Sequence, residues 1–502
     1  MLRATVLMLF ICSLLTVACE DEIIETRPSN GQLEFSKDTV FLDTVFTNIS
    51  SSTRSFKVYN RSSENINLPT IELANGESSF YRLNVNGIPG KSFENVPVLA
   101  RDSIFIFVEA TIDFNEVSDP LYIDQIVFDR GPNQQEVELV TLVQDAYFLF
   151  PERDANGIKE TIVIGVGPDG EEIEVEGFYL EGSPKWTDEK PYVVYGFAGV
   201  GSGNTLTIEK GAHIYFHDNS GLVVEQGARL KVEGTQESRV TFQGDRLESF
   251  FDDIPGQWSG ILLREGSRNH IVSHAVIKNS NVGLFVDAAE SSSGQPALRI
   301  SNTEIYNTSS FGLFARQTEI LGSNLVIGNN GSASLACTEA GSYRLAHSTF
   351  ANFWSGGVRV LPAVLVSNVS ESGQGEAGLQ ATFENCIIEG NQGIEFLLDQ
   401  EAGSQIEFSF ANSLLRFEDP GGLFQGDPLY DFTNDELYRN NIYNGNPDFI
   451  DPESNDLRIG EESEARGIGN VLVADEFPFD LLGIDRRDSP DAGAYQHIIV
   501  EE

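Results

Sequence analysis

Very short apolar segments, repeated at close intervals, restrict what this chain can fold into more than any other feature. From Tyr192 to Asp287 the segments LTI, IYF, LVV, LKV, VTF and GILL recur every few residues, divided by Gly, Asn, Asp or Glu-Gly corners. Each is too short for a helix and rich in Val, Ile, Phe and Tyr, which predicts strands. Asn-Gly and Asp-Gly hairpin turns are scarce between them, so a meander is disfavoured. Short strands turning in one sense around a shared core predict an all-β chain dominated by a right-handed parallel β-helix, a solenoid over residues 192–497.

A repeat supports this. HAVIKN (274–279), NTEIYN (302–307), NLVIGN (324–329), HSTFAN (347–352) and, with one extra residue, NCIIEGN (385–391) align on one template, and a second apolar strand follows each. Asn279, Asn307, Asn329, Asn352 and Asn391 are expected at one corner, spaced 28, 22, 23 and 39 residues apart, within the period of solenoids. Stacked asparagines can bond the backbone of the next coil and tolerate left-handed corner angles. His274, Asn302, Asn324 and His347 occupy a second column five residues earlier. A position that accepts His or Asn in turn reads as a polar ladder satisfied by backbone, not as a catalytic pair.

The segments before the solenoid are of other kinds. Residues 1–18 read as a secretory signal, with Arg3 as the positive end and Ala4 to Ala18 as an apolar run too short to span a bilayer. Its end, LLTVAC, resembles a bacterial lipobox, with Thr16 standing where Leu is usual. The resemblance implies an acylated, palmitate-bearing Cys19. Glu20, Asp21 and Glu22 open a tether over 19–31 and resemble the export signal that carries lipoproteins of Bacteroidota to the cell surface. Across 32–149, seven or so alternating strands with polar turns read as an immunoglobulin-like β-sandwich. Its opening stretch, DTVFTNISSSTRSFKVYNRSSENINL, resembles bacterial Ig-like modules that precede surface domains. DTV (38–40), DTV (43–45) and DSI (102–104) resemble the O-glycosylation acceptor of the same bacteria, which would modify Thr39, Thr44 and Ser103. Residues 150–191 read as a connector ribbon around Gly-Pro-Asp-Gly (167–170) that caps the first coil. Cys337 and Cys386 fall on different template positions and are expected as two buried thiols, not a disulfide.

Whether the solenoid catalyses turns on its acids. With 76 acidic against 32 basic residues and a net charge of −44, nucleic acid is excluded as a partner and cations or basic partners are favoured. Paired-carboxylate hydrolysis needs two acids on one rigid face, and a calcium-assisted lyase needs acidic ligands beside a Lys or Arg base. Asp245, Arg246, Asp252 and Asp253, in GDRLESFFDDIPGQW, are the weak candidates, with Trp258 either stacking on sugar or packing beneath the loop. His213 and His217 flank an apolar strand with no third ligand in view. No metal or cofactor site is expected, calcium being the one cation the charge would favour.

The closing segment, NPDFIDPESNDLRIGEESEARGIGN (446–470) with LLGIDRRDSPDAGAYQ (481–496), and the opening TLTIEKGAHIYF (205–216) resemble right-handed β-helix surface lipoproteins of Bacteroidota, in the pectate-lyase-like superfamily. Asp451-Pro452, Leu457, Gly467 and Asp491 with Gly493-Ala494-Tyr495 carry the match; Arg466 and Ala492 depart from it. Lyases and non-enzymatic proteins share these segments, so the resemblance implies a fold and not an activity. The expectation is an outer-membrane, surface-exposed, lipid-anchored protein whose β-helix is a non-catalytic binding or scaffold surface for glycan or protein partners. The alternatives are a polysaccharide lyase or glycoside hydrolase acting on an acidic glycan, and an adhesin or subunit of an outer-membrane complex.

Overall fold

The computed structural model describes residues 25–498 apart from 168–169, 292–293, 370–377 and 402. The signal segment and Cys19 lie outside the described residues. The chain divides into two compact units, 1–145 and 146–502.

The first unit is a two-sheet β-sandwich. Ile66–Leu73, Leu121–Phe128, Gln135–Gln144 and Thr39–Phe46 lie side by side in one sheet, and Arg54–Tyr59, Ser103–Ala110 and Tyr81–Val85 form the centre of the other. Side-chain alternation decides which faces meet. In Ser103–Ala110, Ile104, Ile106, Val108 and Ala110 point into the core while Phe105 and Phe107 are exposed. Thr39 and Thr44 lie half-buried on Thr39–Phe46, the outermost strand of its sheet, and Ser103 opens its own strand, also half-buried.

The second unit is a coil of parallel strands with three faces. The first face includes Thr205–Glu209, Arg229–Glu233 and His270–Ser273; the second His213–Phe216, Val240–Gly244 and Ala275–Lys278; the third Gly221–Val224, Gly260–Leu263 and Leu284–Asp287. Strands of each face pair in parallel with their counterparts on the next turn, so the interior is a stack of aligned side chains such as Leu206, Leu230, Phe242 and Ile277. Tyr147–Leu149 pairs in register with Tyr192–Val194, and the ribbon Thr161–Val166/Glu172–Tyr179 joins Phe197–Val200 through Gly177–Tyr179. At the far end the aromatic rings of Phe396, Phe417, Phe424, Tyr430 and Phe432 close over the last turns. Cys337 and Cys386 are buried free thiols, and burial pushes the Cys386 thiol up to about 12.

Register places His274, Asn302, Asn324 and His347 in one column at the corner between the first and second faces, and the column continues through Asn385, Asn412 and Asn440. All seven have φ between 46° and 54°. The left-handed region costs most residues roughly 1–2 kcal/mol, and Asn bears it best after Gly because its short amide bonds locally. The other corner departs from expectation. Asn279, Asn307 and Asn329 do share a left-handed column, but Asn352 continues the strand, and Gly390, not Asn391, takes the next level. Asn352 instead exchanges hydrogen bonds with the Asn330 backbone, and Asn391 accepts from Arg359. The remaining three do not bond the next coil either. Asn279 donates to the carbonyls of Phe251 and Asp252, Asn307 to Asp253, and Asn329 to Pro452 and Asn455. These corner residues hold peripheral loops.

The largest such element is the closing segment, 446–497, which lies along the outside of the second face. Outward-pointing Val326 and Ala351 pack against Leu457, Leu481, Ala494 and Tyr495. Ile387 and Leu414 pack against Ile459, Ala465 and Ala492. Arg486, 1% exposed, is threaded into the corner column, donating to Asn324 Oδ1 at 2.9 Å and to the Gly493 carbonyl at 3.2 Å. The strip of sheet over these turns is therefore covered by the chain itself.

Candidate functional site

The four acidic-loop candidates are not brought together. Asp245 pairs with His217; Arg246 pairs with Glu248 and lies over the Phe251 ring; Asp253 accepts from Asn307, and Asp252 offers its carbonyl to Asn279. Trp258 has no exposed surface; it stacks on Phe216 at 4.3 Å and donates to the Lys278 carbonyl, which rules out stacking on sugar. Among the described residues no group of three or more His, Cys, Asp or Glu is placed to hold a metal ion, and no helix is long and apolar enough to cross a membrane.

What the structure does assemble starts from Asp245. Register puts Tyr195, His217 and Asp245 at the same position of three successive turns, just past Val194, Phe216 and Gly244. His217 Nδ1 lies 2.8 Å from Asp245 Oδ2, and the Tyr195 ring centre lies 4.5 Å from that of His217. Asp245 is largely covered, its side chain 12% exposed, whereas His217 is open. Burial raises the Asp245 carboxyl and the His217 contact opposes that rise. Burial, and then the charge of Asp245, push the Tyr195 phenol up to about 12, so it is a protonated donor at neutral pH. The Asp245 carboxyl fixes one ring nitrogen and so orients the half-exposed imidazole.

Tyr195 and His217 form one wall of a cleft of about 550 Å³ between the turns and the connector ribbon, and Asp245 holds His217 from outside the lining. Asp218, Asn219 and Phe197 lie beside it, and Lys159 with Glu176 line the ribbon side as an ion pair. The turn that presents His217, Asp218 and Asn219 is sharp because Asn219 is left-handed, at φ 57°. A second groove, about 490 Å³, lies where His274, Asn302 and Asn324 meet the closing segment at Phe477, Phe479 and Asp480. The predicted ladder thus lines a groove, but the Asn324 amide is spent, donating to Asn302 Oδ1 and to the Phe479 carbonyl. The sequence reading missed the Tyr195–His217–Asp245 column, since it rests on alignment of turns that lack the corner asparagine; the shared signal is one polar residue closing each of VVY, YFH and QGD.

One buried acid elsewhere has a measurable consequence. Glu389 is raised to about 7, chiefly by burial, with the Gly390 N–H and Arg416 opposing, and its Oε2 has no hydrogen-bond partner. Between the unfolded value of 4.5 and about 7 the folded chain keeps a proton that the unfolded chain releases. This group therefore subtracts stability as pH rises through that window. Glu389→Gln is expected to stabilise the protein by up to about 3 kcal/mol at pH 8 and not at pH 4, read from urea midpoints at both pH values.

Residues 259–415 match the family model described as right handed beta helix region. Among solved structures, a family 123 glycoside hydrolase from Clostridium perfringens, titled for the details of glycolipid glycan hydrolysis, is similar at 8% identity and a TM-score of 0.16. The similarity covers 23% of this chain and 30% of that one, and at this score carries no argument. No curated protein matches the sequence.

Proposed function

We propose that the chain is a lipid-anchored, surface-exposed protein of an outer membrane, held through Cys19, whose β-helix serves as a non-catalytic binding or scaffold surface for a glycan or protein partner. The observation that carries this reading is the fate of the acids and of the sheet face. The Asp245 and Asp253 carboxylates are each committed to a different structural contact, Asp252 is held by its backbone carbonyl, and the second face over the turns at Val326, Ala351, Ile387 and Leu414 is covered by the closing segment. A stiff solenoid of this kind offers long exposed surfaces for partners. Capture of an outer-membrane complex or glycan after gentle detergent extraction is expected. Palmitate labelling should disappear in Cys19→Ala, and protease shaving of intact cells should remove the protein. Capture of nothing, or an unlabelled protein, would defeat the reading. A second reading, a lyase or glycoside hydrolase, is favoured by the His217–Asp245 contact alone. It requires unsaturated, ultraviolet-absorbing products or new reducing ends from glycans, lost in His217→Ala.

A further inference from the structure

We infer that the cleft walled by Tyr195 and His217 is the glycan site, and that it takes uncharged pyranose sugars. The inference rests on the binding reading above and goes on to place the ligand and name its class. The size suits a small ligand, since such clefts run roughly 300–1,000 Å³, against about 550 Å³ here.

Its wall alternates ring faces with hydrogen-bonding groups. Tyr195 and Phe197 are half-buried, so part of each ring is open to the apolar C–H faces of a sugar. His217, Asp218 and Asn219 are exposed on one turn and can meet a ring of hydroxyls with both donors and acceptors. These groups are pre-positioned: Asp245 holds the imidazole at 2.8 Å, and the left-handed Asn219 fixes the turn. Rigid placement lowers the entropic cost of binding.

Charge chooses among sugars. Asp218 and Glu176 line the cleft, Asp245 lies behind His217, and the one lysine of the lining, Lys159, is already paired with Glu176. The whole chain carries −44. A uronate or sulfated sugar would meet like charge at each of these positions, so the acidic glycan of the lyase alternative is the class this cleft rejects.

Isothermal titration of the purified full-length protein in mild detergent tests this with cellohexaose, mannohexaose and maltohexaose against hexagalacturonate. At least one neutral hexasaccharide is expected to bind with a Kd of about 10 μM to 1 mM, and hexagalacturonate at least tenfold more weakly. Tyr195→Ala and His217→Ala should each weaken binding tenfold or more with unchanged circular dichroism and melting. Tyr195→Phe, which keeps the ring, should retain binding within threefold. Equal affinity for the uronate, binding unaltered by both alanine variants, or no binding of any neutral hexasaccharide would each overturn the inference. If the detergent-extracted protein still captures an envelope partner while the cleft variants change nothing, this inference fails and the scaffold reading stands.

Discussion

Arg359→Leu should lower the unfolding free energy by about 3–5 kcal/mol, because it leaves Glu395 buried and charged without its partner. Both side chains are sealed, Arg359 at 2% and Glu395 at 0% exposure. Arg359 Nη1 donates to Glu395 Oε2 at 2.8 Å, while the Ala363 and Gln392 N–H groups donate to the same carboxylate at 2.8 and 2.7 Å. One anion therefore ties the loop that holds Val358 and Val360, which are 92% and 83% exposed, to the turn at Gln392. Taking the guanidinium away strands that anion; taking both charges away does not. The double variant Arg359→Leu/Glu395→Leu should accordingly recover at least half of the loss, and urea unfolding of the three proteins decides it. Equal destabilisation by the single and double variants would show that packing, not charge, holds the corner.

Arg486→Leu should cost about 3 kcal/mol and act on one segment. The guanidinium satisfies Asn324 Oδ1 and the Gly493 carbonyl, and each buried acceptor left empty costs roughly 1–3 kcal/mol. Burial depresses the guanidinium to about 10, with Asp480 and Asp491 opposing, so the site tolerates this cation at some expense. Limited proteolysis should cut the variant within 446–497 while the coil stays intact. Arg486→Lys, which cannot reach two acceptors in a fork, should fall between. Cleavage spread evenly along the coil would mean that the closing segment is not a separate layer.

The coil was legible in the sequence because its constraints are local. A corner needing positive φ selects Asn at 302 and 324, and apolar runs such as Leu206–Ile208 must alternate to fill a stack. The covering layer was not legible. Asn279, Asn307 and Asn329 read as bonding the next coil, yet their partners lie in loops 27 to 126 residues away in the chain. Nothing local distinguishes an amide that bonds its own stack from one that holds a visiting loop. The candidate acids failed for a related reason. Asp245, Asp252 and Asp253 are close in sequence, but Asp245 directly follows the strand Val240–Gly244 and pairs with His217, while the short 3₁₀ turn Ser249–Phe251 carries Asp252 and Asp253 onto Asn279 and Asn307 of later turns. The Tyr195–His217–Asp245 column needed register across turns of unequal length, which a template built on later turns does not supply.

Hydroxyl-radical footprinting of the full-length protein tests the central claim most directly: a parallel coil whose second face, over the turns at Val326, Ala351, Ile387 and Leu414, is closed by segment 446–497. Ile387 and Leu414 point away from the coil interior, yet both have 0% exposure because the closing segment covers them. They should remain unmodified while Val358, Val360 and Leu472 are labelled heavily. Labelling of Ile387 and Leu414 at rates comparable to those three residues would contradict the covered face and the account built on it.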